Sequence, residues 1–358
     1  MKNLLFFFPI LLSILILFTS CAEDDAVLPA PTPTYTNALD YAHASGFQGS
    51  LLLRKGNEDL IRQGFGEARA GEGIRNTTDT KFRIGSMSKA FTVLGILQLQ
   101  RAGRIESLDQ SISAFAPDFP YGGQITLRHL MAHTSGLPDH TAAFEELYEE
   151  QNAYLTPEEI ADAYIEALSE EELRFEPGSR FEYCNANYLL LATLIEELSG
   201  QPYHGYLQAT ALAELGMSDT YPSNDDFGSI GEAVGYRNHA PVAPYPMSVA
   251  FGAGEWASTI EDMEKWGDAW MDALLTEVEM AAVFPAPAQD DATAVGLGWF
   301  AIRIQGELVY FHGGDVDGFT SLIALFPESN GLFIALSNAE GQRHVLDQMM
   351  ETFAIQEF

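Results

Sequence analysis

Strand-like segments stand at the two ends of this chain's body, and helix-like segments fill the middle. Near the start, Gly49-Ser50-Leu51-Leu52-Leu53-Arg54-Lys55 and Asp59-Leu60-Ile61-Arg62 flank Gly56-Asn57 and read as a hairpin with a short turn. Near the end, Leu297 to Ile304 and Glu307 to Phe311 flank Gln305-Gly306. Phe319 to Phe326 and Leu332 to Leu336 then flank a turn around Asn330-Gly331. Helix signals lie between these hairpins. Ser86 to Arg101 ends at Gly103, and Thr156-Pro157-Glu158-Glu159 caps a helix reaching about Leu168. Further helices are expected from about Asn187 to Gly200, from Thr259-Ile260-Glu261-Asp262 onward, and from about Gln342 to Phe353. Strands at both ends with helices between them predict an α+β fold. It is an antiparallel β-sheet flanked by helices, with an inserted all-helical domain.

The N-terminus is a separate matter. Met1-Lys2-Asn3 leads into an almost entirely apolar run to Leu17-Phe18, followed by Thr19-Ser20-Cys21. A short basic start, an apolar stretch and small residues make a secretory signal. The cysteine after Thr19-Ser20 resembles a bacterial lipoprotein lipobox, with Phe18 where leucine is usual. That resemblance implies cleavage before Cys21 and lipid on its thiol and amine. The run is short for a transmembrane anchor and has no positive stop-transfer flank. Residues 1–20 are therefore expected to be a signal peptide, and 21–36 an acidic, Pro-rich tether. Residues 37–358 form the folded domain, held lipid-anchored at the bacterial cell envelope.

Charge and cysteine content narrow the partners. With 51 acidic against 18 basic residues, the formal net charge is −33. Such a surface repels nucleic acid and anionic membrane, which leaves lipid on Cys21 as the membrane attachment. The acidic runs at 145–150 and 170–172 read as solvated helix faces. Cys184 is the one cysteine after Cys21, so no disulfide forms within the body.

Ser86 and Lys89 stand three residues apart where a turn runs into the helix of 86–101. The chain holds only five lysines. Positions i and i+3 share a helix face, so the lysine amine comes within reach of the serine hydroxyl. A serine hydroxyl needs a base to take its proton, and Lys89 serves only if burial or neighbouring charge lowers its pKa. A capping serine followed by a surface lysine would leave the same spacing.

Two further segments give the pair more weight. Phe181-Glu182-Tyr183-Cys184-Asn185 precedes a helix, and Phe311-His312-Gly313-Gly314 follows a strand. Ser-x-x-Lys, Tyr-x-Asn and His-x-Gly in this order resemble the serine β-lactamase and penicillin-binding D,D-peptidase superfamily, in its class C-like branch. The similarity runs from about Asp40 to Leu336 and includes His133-Thr134-Ser135-Gly136-Leu137-Pro138 and Gly296-Leu297-Gly298-Trp299. It implies a sheet domain and a helical domain with the active site in the cleft between them.

Roles follow residue by residue from that resemblance. Ser86 would be acylated, Lys89 would accept or shuttle its proton, and Tyr183 would act as phenolate or hydrogen-bond relay. Asn185 would orient Lys89 and the substrate amide. His312 and Gly314 would line the sheet side of the cleft, His312 near the leaving group or a substrate carboxylate. The backbone N–H groups of Ser86 and Asp315 would form the oxyanion hole.

Other signals carry less. His129 and His133 stand four apart with Asp139 and His140 nearby, but no His-Glu-x-x-His accompanies them, so neither metal nor cofactor is expected. Cys184 has no Cys-His arrangement and reads as a buried space-filler. His312 stands where β-lactamases of the superfamily usually carry lysine, and Gly313-Gly314 leaves the triplet without a hydroxyl. Asp315 and Asp317 stand where members of the superfamily often have Gly and Pro, and they add negative charge beside the cleft. Gly252-Ala253-Gly254-Glu255 departs from a more glycine-rich version. The expectation is a serine hydrolase working through an acyl-enzyme, as a D,D-carboxypeptidase-like peptidase or an esterase or amidase. Its partners are a small peptide, ester or amide substrate. A class C-type β-lactamase is the alternative enzyme, and a non-catalytic penicillin-binding or scaffold protein the alternative of another class.

Overall fold

The computed structural model describes residues 35–358, apart from 152–153, 230, 273, 286 and 288–292. The leader, Cys21 and the tether up to residue 34 lie outside the described residues. Seven strands make one antiparallel sheet: β1 (Gly49–Lys55), β2 (Glu58–Phe65), β3 (Ala294–Val295), β4 (Phe300–Ile304), β5 (Glu307–Val316), β6 (Phe319–Phe326) and β7 (Gly331–Ser337). They run in the order β3-β4-β5-β6-β7-β1-β2. The two ends of the chain meet in its middle, where Gly49 of β1 pairs with Ser337 of β7.

Both faces of the sheet are covered, which explains why its central strands are apolar without alternation. Every residue of β6 and β7 is buried. Successive side chains point to opposite faces. Leu322, Ala324 and Phe326 pack on one side with Ala38 and Ala42 of α1 (Ala38–Ala44). Ile323 and Leu325 pack on the other with Phe91 and Leu94 of α2 (Lys89–Arg101). Helix α2 is the hub, with ten of its thirteen residues buried. A helix apolar nearly all round belongs inside, and this one carries Lys89 at its first position. It packs on α5 (Ala186–Ser199) and, through Phe91 against Trp266, on α6 (Ile260–Asp272), while α4 (Pro157–Leu168) packs on α5 and α3 (Thr141–Gln151) precedes α4 in the helical region. Thr156 and Glu159 form the expected capping box, and Gly200 closes α5 at φ 69°. Among the described residues, no helix is long and apolar enough to cross a membrane.

Several boundaries differ from the sequence reading. The first turn of the Ser86 helix, Gly85–Ser88, is a 3-10 turn, and α-helix begins at Lys89. Gly298 at φ 71° makes a turn, so the strand expected from Leu297 starts at Phe300. The C-terminal helix is α-helical over α7 (Arg343–Gln348) and π-helical over Met349–Ala354. Glu170, Glu171 and Glu172 lie exposed past the end of α4 rather than on a helix face. The most consequential shift is in β5. His312-Gly313-Gly314 does not follow the strand but lies inside it, because pairing with β6 continues to Val316 opposite Phe319.

Candidate active site

Ser86 sits half-buried on the 3-10 turn that leads into α2, and Lys89 starts the helix, fully buried. Lys89 Nζ lies 3.0 Å from Ser86 Oγ and donates to Asn185 Oδ1 and to the Ala253 carbonyl, both at 2.8 Å. Burial pushes the amine down to about 7, against the opposing pull of Asp139 and Glu255. At that value the neutral form is accessible near pH 7. A neutral amine has two N–H bonds and one lone pair. Two carbonyl acceptors take the N–H bonds, and the third direction points at the serine hydroxyl. The arrangement suits an amine that takes a proton from Ser86.

Tyr183 and Asn185 arrive from the segment preceding α5. Asn185 is the N-cap residue of that helix. Its Nδ2 donates to Thr141 Oγ1 at 3.2 Å, which leaves Oδ1 for Lys89. Its backbone N–H goes to the Asp139 carboxylate, which also accepts the Thr141 N–H at 2.9 Å. The ring of Tyr183 stacks on His133, with centroids 4.2 Å apart and planes at 19°. Lys89 Nζ lies 4.9 Å from the Tyr183 centroid. The tyrosine keeps 37% of its surface open to the cleft. Burial of its hydroxyl end raises the phenol well above its ordinary value, only partly offset by a hydrogen bond with Ser86. Tyr183 is therefore a neutral phenol beside a lysine that is itself poised to lose its charge. Of the two expected forms, phenolate and relay, this geometry favours the relay.

The strand side closes the site. His312 is buried, and its Nδ1 must donate to the Gly313 carbonyl 2.6 Å away, since a carbonyl can only accept. Burial, helped by Lys89, pushes this imidazole down to about 3. It is neutral, with Nε2 left as an acceptor. Close approach explains the glycine after it. A Cβ on Gly314 would lie 1.9 Å from the Ile84 carbonyl oxygen, so the strand presses directly on the segment carrying Ser86. A Cβ on Gly85 would lie 2.9 Å from the Asp315 nitrogen, which places that amide beside Ser86. Gly314→Ala is accordingly expected to push β5 off Ile84. The cost is about 2–3 kcal/mol of stability, with acylation of Ser86 slowed at least about tenfold. Thermal melts and active-site labelling of the variant check both.

The carboxylates near His312 are less free than the sequence suggests. Asp315 pairs with Arg343 Nη2 at 2.9 Å, and Asp317 with Arg237 Nη2 at 2.8 Å. Arg343 also donates to the Gly314 and Ser321 carbonyls at 3.1 and 2.8 Å. Asp315, Asp317 and Arg343, with Glu145, Glu340 and Asp347, line a cleft of about 610 Å³ that also holds Ser86, Tyr183, Asn185 and His312. Gly313 lines it rather than the expected Gly314, which is pressed against Ile84. Glu145 thus faces the cleft, bonded to the Tyr245 hydroxyl at 2.5 Å, rather than open water alone.

The histidines considered for metal are occupied separately. His129 Nδ1 accepts the Thr126 N–H at 3.3 Å, His133 Nδ1 accepts the Cys184 N–H at 3.1 Å, and His140 Nε2 faces the Val249 carbonyl at 3.0 Å. Cys184 is buried, and its thiol is pushed up to about 12 by that burial, far from a nucleophilic thiolate. Sequence reasoning passed over Asp139 as an anchor of Asn185, His133 beneath Tyr183, the Ala253 carbonyl, and Arg343. Asp139 directly follows the Leu137-Pro138 stretch and reads in the sequence only as a neighbour of the histidines. A backbone carbonyl leaves no sequence signal.

Comparison with known proteins identifies the family of the chain. Residues 42–350 match the family described as Beta-lactamase. The protein flp of Staphylococcus aureus is 28% identical over 318 residues, covering 85% of this chain and 61% of its own length. The chain thus spans less than two thirds of that relative. PbpX of Bacillus subtilis is 28% identical over 305 residues, covering 84% of this chain and 73% of its own. Among solved structures, a penicillin binding protein from Bacillus halodurans superimposes with a TM-score of 0.75 at 26% identity, over 89% of this chain and 99% of that one. D-amino acid amidase from Ochrobactrum anthropi SV3, in complex with L-phenylalanine, gives 0.76 at 27% identity, over 89% and 96%. The matched span, residues 42–350, contains the whole cleft from Ser86 to His312, and the chain belongs to the beta-lactamase family of serine hydrolases.

Proposed function

We propose that the protein is an amidase or esterase that acylates Ser86, on substrates with no carboxylate beside the scissile bond. Lys89 Nζ takes the hydroxyl proton as Oγ bonds the carbonyl carbon, and the carbonyl electrons move onto oxygen. The N–H groups of Ser86 and Asp315 receive that oxyanion. On collapse the C=O re-forms and the C–N or C–O bond breaks. The leaving group takes a proton from Tyr183, which Lys89 replenishes. Water then passes a proton to the same pair as it attacks the acyl carbon; the Oγ–acyl bond breaks, the pair returns the proton to Ser86 Oγ, and the acid departs.

One observation carries the substrate side: His312 is a neutral acceptor where a carboxylate-binding cation would stand. The likeness to D-amino acid amidase supports the same reading. A D,D-carboxypeptidase is the second reading, favoured by Arg343 at the cleft wall. Its guanidinium already serves Asp315 and two carbonyls, so a substrate carboxylate would have to displace them. The leader of residues 1–20, followed directly by Cys21, supports a lipid-anchored place at the envelope.

The test is a side-by-side assay of D-amino acid amides, p-nitrophenyl esters, D-Ala-D-Ala peptides and nitrocefin. Amides or esters are expected to lead by at least about tenfold in kcat/KM, the effect of ~1.4 kcal/mol. Faster turnover of the D-Ala-D-Ala peptides would replace this reading with the carboxypeptidase. A stable label without turnover of any of them would make the protein a binding module.

A further inference from the structure

One residue beyond the cleft-lining Ala253 and Gly254, a carboxylate is buried that the acylation scheme does not use. Glu255 is 2% exposed. Its Oε1 accepts the Gly252 N–H at 3.0 Å, and Oε2 lies 3.2 Å from the Gly254 nitrogen. On its outer side Oε1 lies 3.1 Å from Nε2 of His204, a side chain 31% exposed. Its backbone carbonyl takes both the N–H and the hydroxyl of Ser223, at 2.7 and 2.9 Å.

The turn gripped by this carboxylate has little freedom. Gly252 sits at φ 71°, and a Cβ there would lie 2.3 Å from the Tyr188 carbonyl oxygen. The Gly252 carbonyl accepts the Thr92 hydroxyl of α2 at 2.7 Å. Ala253, between the two anchored glycines, gives its carbonyl to Lys89 Nζ at 2.8 Å. A buried carboxylate is costly unless it is well bonded, and a more glycine-rich turn would spare that cost. Its presence calls for a purpose at the end of the chain of contacts, and that end is the Lys89 amine.

We propose that Glu255 is a positioning residue for the Ser86 reaction, clamping the 252–254 turn so that the Ala253 carbonyl holds Lys89 Nζ against Ser86 Oγ. The inference rests on the acyl-enzyme reading above. Geometry supplies the first half of the argument. With Ala253 fixed, one N–H of the amine is committed to that carbonyl and one to Asn185 Oδ1, so the lone pair faces the serine. If the turn drifts, an N–H rotates toward Ser86 instead, and an N–H cannot accept a proton.

Charge supplies the second half. The groups that face Lys89 are the carboxylates of Asp139 and Glu255, the Cys184 thiol, the imidazoles of His133, His140 and His312, and the rings of Tyr183 and Tyr188. All three histidines are pushed toward the neutral form by burial, and the thiol is un-ionised. Glu255 itself faces His204, Lys89 and the buried Tyr203 phenol. Asp139 and Glu255 are thus the two groups that favour the ammonium, and loss of either charge makes the amine easier to deprotonate.

The second-order rate of Ser86 labelling by a fluorophosphonate, followed from about pH 5 to pH 9, separates these effects. The wild-type rate should fall on the acid side through about 7. Glu255→Gln keeps the side chain's size and removes its charge. The acid limb should move roughly 0.5–1 unit lower, and the plateau should fall about 3–10-fold as the turn loosens. Glu255→Asp keeps the charge but withdraws the carboxylate, so the limb should stay in place while the plateau falls. An unmoved limb in Glu255→Gln overturns the proposal, because a merely structural role lowers the plateau alone. If thermal melting shows that Glu255→Gln does not fold, Glu255→Asp decides, and a wild-type plateau in it is the overturning result. A wild-type rate flat across the whole range sinks the acyl-transfer reading itself, before any variant is made.

Discussion

Ser86→Ala should fold as the parent does and lose turnover by about 10³-fold or more, with all labelling by fluorophosphonate or penicillin gone. The magnitude follows from what the substitution deletes. Oγ is the atom that would carry the acyl group, and the residual rate comes only from binding and from the backbone N–H groups. Stability should hardly change. Ser86 is half-buried, and Lys89 keeps both carbonyl partners, Asn185 Oδ1 and Ala253, when Oγ goes. Intact-mass measurement of reacted protein, wild type against variant, checks the claim. One adduct on the wild type and none on the variant is the expected pair of results. An adduct that survives in Ser86→Ala would move the nucleophile elsewhere and take the proposed chemistry with it.

How far the site could be read in advance depended on the range of each contact. Ser86 and Lys89 are three apart on one helix face, so local geometry alone put the amine near the hydroxyl. Tyr183 and Asn185 are tied to them by a resemblance, and the physical link, Lys89 Nζ to Asn185 Oδ1, spans 96 residues. Local propensity misplaced His312-Gly313-Gly314 at a strand end, because two glycines read as a stop. In the fold those glycines mark close approach by Ile84 and Arg343, and the ladder with β6 holds the segment extended. Tertiary packing overrode propensity there. The cleft is acidic as its sequence suggests, but the partners of its carboxylates were hidden for a similar reason. Asp315 and Asp317 look unopposed in sequence, but Arg343 and Arg237 reach them from 28 and 80 residues away. Glu255 was visible only as a departure from a glycine-rich turn. Its bearing on Lys89 runs through the carbonyl of Ala253, and carbonyls are common to every residue.

Lys89→Met should slow acylation by about 10²–10⁴-fold, the range for loss of a general base, and it should also change how stability varies with pH. Burial holds the folded-state pKa near 7, against an ordinary 10.5. In the unfolded chain the amine keeps its proton up to that ordinary value. Between about 7 and 10.5 the unfolded state therefore binds more protons than the folded one, and wild-type stability rises with pH across that window. Below it both states are protonated, and the cost of the buried ammonium is fully present. Methionine fills similar space without titrating, so the variant lacks this slope. The difference in unfolding free energy between variant and wild type should shift in favour of wild type on going from pH 7 to pH 10.5, by on the order of 4 kcal/mol. The offset at any one pH also contains the cost of leaving Asn185 Oδ1 and the Ala253 carbonyl unpaired, about 1–3 kcal/mol each. That offset does not vary with pH, so the slope isolates the amine. Urea titrations of both proteins at several pH values measure it. A difference that stays constant would mean Lys89 keeps its proton in the folded state through this window, and an ammonium without a lone pair could not take the proton of Ser86. The burial that costs stability near neutrality is thus the same burial that makes Lys89 a base.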